Sequence, residues 1–169
     1  MGRLARPAST VTTERLLLEP LAAAHAVELA PLLDDPTLHT YTGGRPLPVE
    51  ELRERYEHQV GGRSGDGSQL WFNWIVRDRA THDALGFVQA TVEVASGVAD
   101  VAWVIASQYQ GHGYAREAAS AMVAWLRASG ITTVTAHVHP ANEASAAVAD
   151  AIGLAATPVV VDGEIRWEG

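Results

Sequence analysis

Cysteine is absent from the 169-residue sequence, which excludes disulfides, thiolate metal sites and a covalent acyl-cysteine intermediate. Long apolar runs are missing too. No stretch approaches the roughly 18 residues needed to cross a bilayer, and Met1 to Thr13 lacks the apolar segment of a secretory signal. A cytoplasmic protein with no membrane partner is expected. Positive charge is in short supply: 12 basic residues against 20 acidic ones leave a net charge of -8. Binding nucleic acid calls for a basic face, so no nucleic-acid partner is expected. The same balance ranks cationic amines first among substrates.

What is present suits a globular protein, with 47% hydrophobic and 19% charged residues. The length fits one core, read as a loose N-terminal arm over residues 1–13 and a single domain over 14–169. Arg15 to Pro20 is a short strand stopped by proline, and Ala22 to Leu33 favours helix. Pro46 and Pro48 open a second helix, Val49 to Gln59. Gly61 to Ser68 holds four glycines and no apolar anchor, so it is a loop.

Leu70 to Arg77, Ala84 to Val94 and Val98 to Ile105 are β-rich runs joined by short connections, the pattern of an antiparallel meander. Tyr114 to Ser129 repeats apolar residues at helical spacing and ends at Gly130. Thr132 to Val138 is strand-like, and Asn142 to Ala151 is helical up to Gly153. Val159 to Trp167 reads as a hairpin around Asp162-Gly163.

The motif with chemical content is Gln110-Gly111-His112-Gly113-Tyr114-Ala115, between a strand and the longest helix. Its glycines let main-chain N–H groups approach a ligand, and the helix N-terminus adds partial positive charge suited to phosphate. A plain turn is the alternative. No Gly-Lys-Ser/Thr follows, so it is not a Walker loop. Arg116 stands where a dinucleotide fingerprint needs its third glycine.

These six residues resemble the pyrophosphate-binding signature of the GNAT superfamily of N-acetyltransferases. Thr13 to Leu18, Asn142 to Ser145 and Gly153-Leu154 extend the resemblance over roughly residues 13–155, in the style of the ribosomal-protein acetyltransferases. It implies an α/β fold with a mixed, mostly antiparallel sheet flanked by helices, whose central strands, 98–105 and 132–138, splay apart. It also implies acetyl-CoA as the acetyl donor. Pantetheine would run along the main chain of Trp103, Val104 and Ile105, and the pyrophosphate would lie on Gln110, Gly111, His112, Gly113, Tyr114 and Ala115.

By the same resemblance Asn142 contacts the pantetheine arm and Ser145 reaches the sulfur; Asn142 is also a natural helix cap. Asp100 matches a position where relatives carry a carboxylate usable as general base, and an ordinary exposed strand carboxylate is the other reading. The position where many members place a tyrosine acid is Ala149. Ser145, Tyr114 or a water is then left as the source of the thiolate's proton. His137 and His139 share a strand face, but no ligand set accompanies them, so no metal is expected. Trp71, Trp74 or Trp103 is expected to line the acceptor pocket.

The reaction implied is direct transfer of acetyl to a primary amine, in a small molecule or peptide, by a monomer or homodimer. A non-catalytic acyl-CoA-binding module of the same fold is the alternative. A dinucleotide-binding oxidoreductase survives only through the Gly-x-Gly.

Overall fold

Alternation of apolar residues along three adjacent central strands decides which side each helix covers, and so where two of the clefts open. The computed structural model describes residues 6–169. In chain order the strands and α-helices are β1 (Val11–Thr12), β2 (Leu16–Pro20), α1 (Ala26–Leu32), α2 (Val49–Gln59), β3 (Gln69–Asp78), β4 (Ala84–Glu93) and β5 (Ala99–Ile105). Then come α3 (Tyr114–Ala128), β6 (Val134–Val138), α4 (Glu143–Ala151), β7 (Ala155–Val161) and β8 (Glu164–Glu168). The strands form one sheet in the order β1-β2-β3-β4-β5-β6-β8-β7. Only β5 and β6 among them pair in parallel.

Phe72, Trp74 and Val76 of β3, Val88, Ala90 and Val92 of β4, and Val101 and Ile105 of β5 point to one face. There they meet Ala118, Ala119, Met122, Val123 and Leu126, the apolar stripe of α3. Each large side chain taken from water here contributes about 1.5–3 kcal/mol, and Leu126→Ala would cost about 2–5 kcal/mol. On the opposite face Ile75 and Phe87 pack against Ala26 and Leu29 of α1 and Leu52 and Tyr56 of α2.

Several expected boundaries shift for local reasons. Residues 1–5 of the expected arm lie outside the described residues. Of the remainder, Val11–Thr12 is a paired strand, because Thr12 and Val11 stand opposite Leu17 and Leu18. Trp74 and Trp125 also tie down Ser9, donating from their indole nitrogens to its carbonyl (2.8 Å) and hydroxyl (2.9 Å). The expected helix 22–33 splits into a 3₁₀ turn, Ala23–His25, and the short α1, which carries Pro31. The last hairpin is longer than expected, with β7 starting at Ala155. Its turn is the expected one, with Asp162 at φ 51° and Gly163 at φ 79°.

Candidate active site

β5 and β6 pair only at Ala99 with Val134 and Asp100 with Thr135. Beyond that rung Ala136 to Val138 stay paired with β8 on the far edge of β6 and β5 stays paired with β4, but β5 and β6 no longer meet. The expected splay is therefore present, with its vertex at Asp100 and Thr135. At the vertex the Asp100 carboxylate accepts from Thr135 Oγ1 (2.9 Å) and lies 3.0 Å from His137 Nδ1.

The hydrogen-bond alternation of β4 and β5 decides which peptide groups face the opening. Ala106 N–H donates to Leu85 O and Glu93 N–H to Val98 O, so by register Val104 exchanges bonds with Phe87. The peptide groups of Trp103 and Ile105 face the gap. Val104 differs from expectation here, since its amide is turned toward β4, although the residue borders the cleft.

Past β5, the 3₁₀ turn Ser107–Tyr109 leads into the glycine-rich turn, and Gln110 Nε2 donates to Ile105 O (2.8 Å) to close the strand end. Gly111 and Gly113 take φ of 82° and 79°, a left-handed conformation that glycine adopts without penalty. From Gly111 to Ala115 no main-chain N–H meets an acceptor among the described residues. A Cβ on Gly111 would meet nothing within 4 Å, and one on Gly113 would approach only Arg15 Nη2 at 3.5 Å. Unpaired donors at the start of a 15-residue helix make an anion cradle.

This cradle is braced from the chain's other end. Glu117, in the first turn of α3, accepts from Thr13 Oγ1 (2.5 Å), Arg15 N–H (3.0 Å) and Arg15 Nε (2.7 Å). Arg15 Nη1 donates to His112 O (2.9 Å), and its guanidinium lies 4.6 Å from the centre of the Tyr114 ring. Burial works to raise the Glu117 pKa, but the bonds from Thr13 and Arg15 prevail and hold it below its ordinary value.

The far wall is the start of α4. Asn142 caps the helix, its side-chain oxygen accepting from Ser145 N–H (3.2 Å). Asn142 and Ser145 join Trp103, Val104 and Ile105 and the glycine-rich turn around one cleft of ≈ 590 Å³. Of the residues expected there, His112 is not in the wall; its ring sits 5.7 Å from that of Tyr114. Asp100 is not brought to this cleft either. Arg116 is, and the sequence pattern pointed to it only as a missing glycine.

A second cavity of ≈ 650 Å³ opens on the α1 and α2 side of the sheet. Its floor includes Asn73, Phe87, Gln89 and Ala102, and its walls include Leu47, Arg55 and Tyr56. Leu38, Thr42 and Val104 line both cavities, so the two meet at the end of β5. The loop carrying Leu38 and Thr42 is anchored near this junction by Ser107 Oγ, which donates to Asp35 Oδ2 (2.5 Å). Of the three candidate tryptophans Trp103 lines the first cavity, while Trp74 borders this one but turns its indole to the α3 side, against Trp125. Burial pushes the Tyr56 phenol up to about 12, against the pull of the Arg55 charge, so it stays neutral.

Among the described residues no group of three or more His, Cys, Asp or Glu could hold a metal ion, and no helix is long and apolar enough to cross a membrane.

Comparison with known proteins follows the same geometry. Residues 15–155 match the family model described as acetyltransferase (GNAT) domain. The uncharacterized protein YkkB of Bacillus subtilis is 30% identical over 127 residues, 73% of this chain and 71% of that one. An acetyltransferase from Agrobacterium tumefaciens superposes with a TM-score of 0.76 at 25% identity, covering 97% of this chain and 95% of its own. RimL, a ribosomal L7/L12 alpha-N-protein acetyltransferase solved with coenzyme A, gives 0.80 at 15% identity over 95% and 97%.

Proposed function

As the chain belongs to the GNAT acetyltransferase family, we propose that it takes acetyl-CoA in the cleft between β5 and β6 and moves the acetyl group to a primary amine in the adjoining cavity. The observation that carries this reading is the meeting of the two cavities at Leu38, Thr42 and Val104, with the unpaired N–H groups of Gly111, Gly113, Tyr114 and Ala115 at the far end of one of them.

The N–H groups of Gly111 to Ala115 hold the pyrophosphate, with Arg116 as the nearby cation. Trp103 and Ile105 offer main-chain groups to pantetheine as an added strand would. Asn142 orients the start of α4 so that Ser145, whose hydroxyl has no partner among the described residues, faces the thioester end. The acetyl-CoA thioester supplies the activated acyl carbon. The neutral amine forms the N–C bond as the C–S bond breaks, the amine proton leaves to water, and the sulfur departs as a thiolate that accepts a hydrogen bond from the Ser145 hydroxyl and takes its proton from water. Ala149 is fully buried in the α4 core contact, so no side chain at that position reaches the thiolate.

Asp100 is read here as the pin of the splay. Its carboxylate is shared by Thr135 and His137 at the last β5–β6 rung, and Val104 lies four residues on, about 13 Å along a strand.

CoA at a hundredfold excess over its Kd stabilises the native state by about 2.7 kcal/mol, which raises the Tm of a chain this size by about 5–10 °C. NAD and ATP at the same concentration leave it unmoved. Thiol release on an amine panel then reports turnover. No shift with CoA sinks the reading, and a shift with an inert panel leaves an acyl-CoA-binding module of the same fold, which the missing tyrosine at Ala149 favours.

A further inference from the structure

The acceptor cavity carries the charge opposite to that of the whole molecule. In a sequence with 20 acidic residues against 12 basic ones, its charged lining consists of Arg45 and Arg55, with no aspartate or glutamate among the described residues that line it. The segregation is built into α2. Leu52, Arg55, Tyr56 and Gln59 face the cavity, at the i, i+3, i+4, i+7 spacing of one helix stripe. At about 100° per residue, Glu50, Glu54 and Glu57 fall on the other side of the helix, while Glu51 stands at the edge of the stripe and turns to Arg45.

The two arginines are not equivalent. Both are exposed, and the charge of Arg45 is met by Glu51 at 2.8 Å. Arg55 has neither an ion pair nor a hydrogen bond among the described residues. On the same sheet face Asp100 lies one rung beyond Ala102, and its carboxylate is committed to Thr135 and His137. The rest of the wall near the helix is apolar, with Leu21, Leu33, Leu47 and Phe87.

A guanidinium presents a planar fork of donors that matches a carboxylate, and a partly apolar wall strengthens that pairing. The neutral phenol of Tyr56, beside Arg55 on the stripe, adds a further donor. A polyamine or other dication would bring a second positive charge toward Arg55 with no carboxylate in the lining to receive it.

We propose that the acceptor is a small amine with an apolar body and a carboxylate, seated with the carboxylate on Arg55 and the amine toward Leu38, Thr42 and Val104. This rests on the transfer reading above, and it reverses the ranking of cationic amines drawn from net charge.

Three probes of one length separate the possibilities: 6-aminohexanoate, hexylamine and 1,6-diaminohexane, assayed for thiol release with acetyl-CoA. The expected order of kcat/KM is 6-aminohexanoate first and 1,6-diaminohexane last. Arg55→Glu should lower the ratio of 6-aminohexanoate to 1,6-diaminohexane by at least about tenfold, which is about 1.4 kcal/mol of discrimination. Preference for the diamine in the unaltered protein, or a ratio unmoved by Arg55→Glu, overturns the proposal.

A binding readout keeps this separate from turnover. In the presence of CoA, 6-acetamidohexanoate should raise the Tm more than N-hexylacetamide does, and Arg55→Glu should abolish the difference. If CoA itself gives no shift, the transfer reading has failed. If CoA binds and the two amides are equal, the acceptor class alone has failed.

Discussion

A Cβ at position 86 would stand 2.0 Å from the carbonyl oxygen of Val104 and 2.9 Å from the Cα of Ile105. Gly86 thus lets β4 and β5 approach where β5 forms the edge of both cavities. Gly86→Ala forces the two strands apart, an overpacking cost of about 1–3 kcal/mol, and at about 2–4 °C per kcal/mol the Tm should fall accordingly. CoA affinity should fall with it, because Val104 and Ile105 move. A variant that melts and binds CoA like the parent would show that the strands yield without strain. Asp100 offers a second test at this scale. Asp100→Asn keeps an oxygen for Thr135 and should hold kcat within a few-fold, whereas Asp100→Ala should lose one hydrogen bond's worth of stability, about 1 kcal/mol. A drop in kcat of about a hundredfold or more in Asp100→Asn is the size expected for a lost general base and would make Asp100 the proton acceptor. Gly86 is a strand glycine in the sequence, a hint of close approach, but which backbone comes close is known only once β5 is laid beside β4.

Between elements, carboxylates held by arginine join pieces that are far apart in the chain. Glu117 ties the start of α3 to Thr13 and Arg15, and Arg77 of β3 meets Glu28 of α1 and Glu19 of β2. All three carboxyls lie below their ordinary 4.5. For Glu28 the bond from Arg77 leads; for Glu19 and Glu117 burial pushes upward first and the arginine bonds outweigh it. A depressed folded pKa gives stability that is complete above the unfolded value and is lost as pH falls through the folded one. The Tm should therefore be level above about pH 5 and decline below about pH 4. Glu117→Gln should flatten part of that decline and weaken CoA binding, since the glycine-rich turn loses its brace. An unchanged acid limb in Glu117→Gln would show that the brace carries no linkage. The strand and helix pattern of β3 to β5, α3 and α4 was legible in the sequence because apolar period and turn residues act locally. The glycine-rich turn was legible for the same reason. Arg15 was not, because its partners Glu117 and His112 lie about a hundred positions away.

At the scale of the molecule the sign of the net charge and the lining of the cavity point to different acceptors, and the lining is the nearer guide because exposed charges beyond about 10 Å are screened. The cavity beside α2 draws on Leu21 to Val104, brought together by α2, the 3₁₀ turn Pro36–His39 and three strands, so no window of sequence contains its polarity. Another global property follows from composition. The 169 residues include 12 arginines and no lysine, so the chain carries no ε-amine, and a guanidinium is never deprotonated at assay pH and is no nucleophile. Under the proposed transfer to an amine, no side-chain amine of the chain itself competes with the acceptor. Prolonged incubation with excess acetyl-CoA at pH 8 should leave every internal peptide unmodified in a mass-spectrometric map, with any acetyl group confined to the terminal amine. The background of thiol release without acceptor should then be set by thioester hydrolysis alone and stay proportional to time. Acetyl groups found on Ser145 or on a tyrosine of the clefts would instead point to a covalent relay, and would overturn direct attack by the amine.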